Sequence, residues 1–283
     1  MWWSDLGRMD GRSVAIGVFL AVVPAMAMLW QARRNTRQDL LQDWANAHYL
    51  VVPAGHRDAI AGYLRRMVWA QGIGAAGGWI VGASFPVPGG PWGGIFVGYI
   101  VSAVVAETTA QRRLGTGVAS LAPRRLEAYV PPAALVAARM LVGVALAIGV
   151  IPLFVDRHPS FSGRDLAAVA ATALGIAIIG LGGEWSSRRV VARRQTAGTA
   201  ELLAVDDALR SSSAHLLVAS MLGAELLGLS ALAGRVASVV APEVLRWVGF
   251  ILAAAFFLAA IVTLHRLAGR PWRVRRSVIE IPA

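Results

Sequence analysis

Polar and apolar positions along this chain fall into long blocks and do not alternate with the two-residue period of a strand. Seven blocks are apolar over about 18 residues or more, the length a helix needs to cross the hydrocarbon core of a bilayer: 13–30, 67–85, 92–109, 131–155, 166–185, 213–234 and 247–265. The pattern predicts an all-α, polytopic helical membrane protein of about seven transmembrane helices, built as a single transmembrane domain and ending in a basic tail over 266–283. The block at 92–109 is short at its polar end, whereas 131–155 is long enough to require tilt.

The polar intervals carry the orientation. Twenty arginines lie in the first, third and fifth intervals and the C-terminal tail, six lie in the N-terminal tail and the even intervals, and Arg139 stands alone inside a block. Positive charge is retained on the cytoplasmic side, so the N-terminus is expected outside and the C-terminus in the cytoplasm. Ala25-Met26-Ala27 resembles a signal-peptidase site, but cleavage there would place the arginine-rich intervals outside, against the charge count.

Composition agrees with the block pattern. The chain of 283 residues is 57% hydrophobic and 15% charged, with mean hydropathy +0.59, where soluble domains carry about 25% charged residues. A net charge of +11 would suit a nucleic-acid surface, but the arginines sit in short clusters between apolar blocks and form no basic face, so no nucleic acid is expected. All 27 basic residues are arginine, which points to a GC-rich genome and excludes a P-loop lysine or a Schiff base. With no cysteine there is no disulfide or thiolate site. A bacterial cytoplasmic membrane is the expected location.

Gly72, Gly74 and Gly77 fit the G-x-G-x-x-G spacing of a dinucleotide loop. The fingerprint requires a strand before it and an acid about 20 residues later; here the glycines lie inside an apolar block and the next acid is Glu107. Read instead at four-residue spacing, Gly74, Gly78 and Gly82 on the second block and Gly94 and Gly98 on the third form small-xxx-small faces through which two helices approach closely. The proline-rich segment 85–91 would join them as a tight hairpin.

Two further patterns recur. Glu107-Thr-Thr-Ala-Gln-Arg112-Arg113 resembles Glu184-Trp-Ser-Ser-Arg188-Arg189, and 133–141 resembles 214–222, which suggests a parallel repeat of helical hairpins. Segments 38–51 and 200–209 carry amphipathic stripes, expected to lie on the membrane surface or meet a partner.

Ionisable residues inside spans are the default functional candidates. Glu225 falls near the middle of the sixth block and Arg139 about eight residues into the fourth, at depths differing by roughly 6 to 8 Å; the expectation is either a proton or substrate relay on Glu225 or a structural arrangement, an intramembrane Glu225–Arg139 polar pair or an arginine that snorkels to the cytoplasmic interface. Glu107 and Glu184 are expected as interface anchors. His215 and His265 begin and end adjacent spans and form a weak metal or haem candidate; no metal site or cofactor is otherwise indicated. Gly228-Leu229-Ser230-Ala231 resembles the nucleophile motif of rhomboid proteases, but Ser230 and His265 lie at opposite ends of their spans. No enzyme constellation is present in the sequence. The expectation is an integral membrane subunit of a transport or export complex, working with a separate ATPase docked on the arginine-rich loops. The alternatives are a self-contained proton-coupled secondary transporter using Glu225, or a non-catalytic scaffold.

Overall fold

A computed structural model describes residues 26, 37–48, 50–84, 90–109, 125–154, 162–193, 199–239 and 243–268, and 93% of the described residues are helical, with no strand among them. The helices are α1 (Arg37–His48), α2 (Arg57–Ser84), α3 (Gly90–Thr109), α4 (Pro132–Val150), α5 (Gly163–Val191), α6 (Ala200–Val239) and α7 (Glu243–Ala268). The block 13–30 apart from Met26, the segment 85–89 and most of the basic tail lie outside the described residues.

Local sequence sets the boundaries. Pro132 opens α4, where a missing N–H costs nothing, and Ser162 with Asp165 forms a capping box at the start of α5. Thr199 accepts the Leu202 N–H ahead of α6. That helix contains no proline and runs for 40 residues until just before Pro242. At ~1.5 Å per residue it is ~60 Å long, twice the ~30 Å hydrocarbon core.

The length of α6 organises everything else. Four helical segments among the described residues are long and apolar enough to cross a membrane: Pro132–Leu153, Gly163–Val191, Glu201–Ser238 and Glu243–Thr263. Of these, α6 is mostly buried, whereas α4, α5 and α7 turn apolar side chains such as Met140, Ile178, Leu181, Ile251 and Val262 outward. Outward apolar side chains on helices of this length are compatible with a membrane protein. One core layer joins Ala145, Val169, Ala173, Ile176, Leu229 and Leu232 inside the bundle, and another joins Leu135, Ala138, Val218, Met221 and Leu222 nearer the N-terminal half of α6.

The N-terminal half of α6 extends beyond the bundle and carries a helical head. Trp44 of α1, Val52, Ile60, Tyr63 and Met67 pack on Val205, Ala208 and Leu209. This corrects two expectations. Segment 200–209 is no separate surface helix but the first turns of α6, and the stripe of α1 is covered by α2 and α6 within the chain. What covers both stripes is the same polypeptide.

Helices α2 and α3 pack closely through glycine. A Cβ placed on Gly78 would strike the Gly94 carbonyl oxygen and stand 2.9 Å from Gly98 Cα, and one on Gly94 would strike the Gly78 carbonyl and stand 3.0 Å from Gly82 Cα. Gly74 likewise abuts the Gly98 carbonyl and Ser102. These five glycines therefore bring backbone against backbone, as small-residue faces do in membranes.

Candidate functional site

Glu225 lies between the two core layers of α6. It is 0% exposed, and neither carboxylate oxygen has a hydrogen-bond partner among the described residues. Its neighbours explain how it fits. A Cβ on Gly180 of α5 would stand 2.5 Å from Glu225 Oε1 and 2.6 Å from Val142 Cγ2 of α4, so the glycine vacates the volume that the carboxyl occupies. One turn away, Gly183 makes the same room for Met221.

The expected Glu225–Arg139 pair is not formed. Arg139 donates from Nε to Glu184 Oε2 at 3.1 Å and from Nη2 to Glu184 Oε1 at 2.6 Å, a two-pronged contact across α4 and α5. Register is the cause: Val142, not Arg139, faces the level of Glu225, and Glu184 stands one turn beyond Gly180 at the level of Arg139. The Arg139 side chain is 57% exposed and reaches toward the end bearing the head. Arg188 adds a second donor to Glu184 at 2.7 Å and approaches Glu127 at 3.6 Å. A charged layer therefore lies one helical turn from an isolated carboxyl group.

Glu107, expected at an interface, is instead 2% exposed inside the head. Tyr63 donates to its carboxylate at 2.6 Å and meets Ser213 at 3.3 Å, while Arg193 donates to the Glu107 carbonyl at 2.5 Å. Arg210 of α6, 3% exposed, donates to Asp206 at 2.7 Å and to the carbonyls of Val191 at 2.9 Å and Arg193 at 2.5 Å. Tyr129 donates to Asp207 at 3.1 Å. None of these links was visible beforehand; the signal was a dense polar run, Asp206 to His215, inside a helix whose apolar stripe continues through it.

A third cluster ties α1 to α6. The Trp44 indole N–H donates to Ser212 Oγ at 3.0 Å, His48 Nδ1 meets the Trp44 carbonyl at 2.8 Å, and His48 Nε2 meets Ser212 Oγ at 3.0 Å. In a neutral ring Nδ1–H donates to the carbonyl and Nε2 accepts from the Ser212 hydroxyl, which has the Ala208 carbonyl at 3.1 Å as its alternative acceptor. Burial holds the His48 pKa below its usual 6.5, the Trp44 carbonyl pulling weakly the other way. A lowered value means that the unfolded chain takes up this proton first, so the contribution is intact above about pH 6.5 and declines as pH falls below it. The melting temperature of wild type is expected to drop by a few degrees more than that of His48→Gln between about pH 7.5 and 5.5; parallel curves would remove His48 as the source.

The histidine pair expected as a metal or haem candidate falls partly outside the described residues. His215 is buried in α6, the side chain of His265 lies outside the described ones, and no cluster of three or more ligating side chains occurs among the described residues. The head gathers the described parts of the first, third and fifth intervals at one end of the bundle. No protein-family model, curated protein or solved structure matches the chain.

Proposed function

We propose that the protein is a proton-coupled membrane transporter in which Glu225 is the proton-carrying group. The observation that carries this reading is a fully buried carboxyl group without a hydrogen-bond partner among the described residues, seated in a space cleared by Gly180. An ionised carboxylate in such a place costs several kcal/mol. A proton removes that cost, and a group that must gain and lose a proton to change its environment is suited to coupling. The charged layer of Arg139, Glu184 and Arg188 one turn away supplies polar groups on the route toward the head.

The amphipathic stripes of α1 and of the start of α6 are covered from within the chain, which leaves the arginines of the loops as the surface on which an ATPase would dock. The topology that goes with the proposal is about seven spans in a bacterial cytoplasmic membrane, N-terminus outside, with the arginine-rich head in the cytoplasm. The recurrence of Glu107 and Glu184 supports a duplicated hairpin whose two carboxylates have taken different tasks, one accepting from Tyr63 and the other from Arg139 and Arg188.

The test is infrared difference spectroscopy of the protein in lipid, comparing wild type with Glu225→Gln. A carboxylic C=O band that is absent from the variant and shifts when the sample is exchanged into heavy water is expected. A Glu225 band unmoved by prolonged exchange would mark a sealed structural group and sink the reading. Purification at native abundance is the complement: a stoichiometric ATP-binding companion would restore the complex-subunit alternative. Glu225→Gln is also expected to melt at or above the wild-type temperature, since it removes no ion pair.

A further inference from the structure

We propose that the rim where α4 and α5 meet the head binds one anionic phospholipid, its phosphodiester headgroup held by Arg125 and Arg188 and its chains laid on the outer face of α5. The face itself is ordered like such a lipid. Positions 178, 181, 185, 188 and 189 fall on one side of α5 at helical spacing, and Ala192, just past its end, continues that side. Ile178 and Leu181 are each 70% exposed, Trp185 follows at 60%, and Arg188 and Arg189 come next, also exposed. Apolar stripe, amphipathic aromatic ring and cation thus succeed one another in the sequence that tails, interface and headgroup present.

At the cationic end there is a cleft of about 420 Å³, lined by Arg125, Leu126, Glu127, Arg188 and Ala192. Arg189 places its guanidinium 5.1 Å above the Trp185 ring and fixes that side chain at the rim. Arg139 completes the group from α4. Four guanidinium groups against the carboxylates of Glu127 and Glu184 leave two positive charges at the edge of the bundle, where a phosphodiester would be drawn. Exposed Met140 on α4 widens the apolar bed beneath. A soluble phosphate would use the arginines but not the stripe, so the continuity of the two favours a lipid. The proposal is independent of the role of Glu225.

Native mass spectrometry of the full chain released from mild detergent tests it, with phosphatidylglycerol and phosphatidylcholine of equal chain length as probes. Wild type is expected to retain one phosphatidylglycerol at least about tenfold better than phosphatidylcholine, and Arg125→Gln with Arg188→Gln to abolish the preference, given about fivefold per arginine. Arg125→Gln alone, which leaves the Arg188–Glu184 pair in place, is expected to lose about fivefold. Arg266→Gln, on the last turns of α7, is expected to behave as wild type. Equal retention of the two lipids, or retention unchanged in both the single and the double variant, overturns the proposal. Displacement of phosphatidylglycerol by inorganic phosphate overturns it as well, by showing a site for free anions.

Discussion

Gly78→Leu is expected to lower the stability of the detergent-solubilised protein by about 3 kcal/mol or more, at the upper end of what overpacking costs. The reasoning is geometric. What a side chain at this position would meet is backbone, the carbonyl of Gly94 and the Cα of Gly98 at 2.9 Å, and backbone within a helix cannot turn aside as a flexible side chain can. Relief comes only by moving α3 away from α2, which forfeits the dispersion contacts between the two closely packed backbones. Gly77, one residue earlier, is exposed and has nothing within 4 Å of a built Cβ. Gly77→Ala is therefore expected to be neutral or to stabilise by up to about 1 kcal/mol through helix propensity. Melting curves followed by intrinsic tryptophan fluorescence check both. Equal melting temperatures for Gly78→Leu and Gly77→Ala would mean that the two helices do not touch through glycine.

This contact was legible in sequence because four-residue spacing of glycine is a local signal that maps directly onto one helix face. Charges across helices gave no such signal. Arg139 and Glu225 were brought together by counting depth in two separate spans, but partnership depends on rotation and register, and a shift of three residues put Val142 where Arg139 was expected. Glu184, expected as an interface anchor, has two carboxylate oxygens and takes donors from both helices. The loops show the limit most clearly. Their apolar stripes were readable, but the surface covering them was not, since Trp44 and Ser212 are 168 residues apart. Much of the head is also closed by donors reaching main-chain carbonyls, such as Arg193 to Glu107 and Arg210 to Val191. A carbonyl is present at every residue, so no pattern of side chains announces which one will be used.

Removal of the Arg210 guanidinium is the sharpest test of that head. At the end of α5 the Arg188 and Val190 carbonyls accept backbone N–H groups of the closing turn, and Arg210 answers two further carbonyls, Val191 and Arg193, from a neighbouring helix while also neutralising Asp206. One side chain thus caps α5, compensates a buried carboxylate and fixes the spacing between α5 and α6. Arg210→Ala leaves Asp206 buried without its nearest cation and the carbonyls without these donors, and breaking a buried ion pair from one side costs about 3–5 kcal/mol. Arg210→Lys is expected to recover only part of this, because a single ammonium cannot fork between a carboxylate and two carbonyls as the planar guanidinium does. The loss should be local. Hydrogen exchange measured by mass spectrometry is expected to show faster exchange in α1 and in the first turns of α6, with protection kept in the apolar halves of α4, α5 and α7, whose packing does not pass through Arg210. Wild-type protection of α1 and the start of α6 in Arg210→Ala would show that the apolar contacts of Trp44, Val205 and Leu209 hold the head unaided. Uniform loss across every helix would show that head and bundle unfold as one unit.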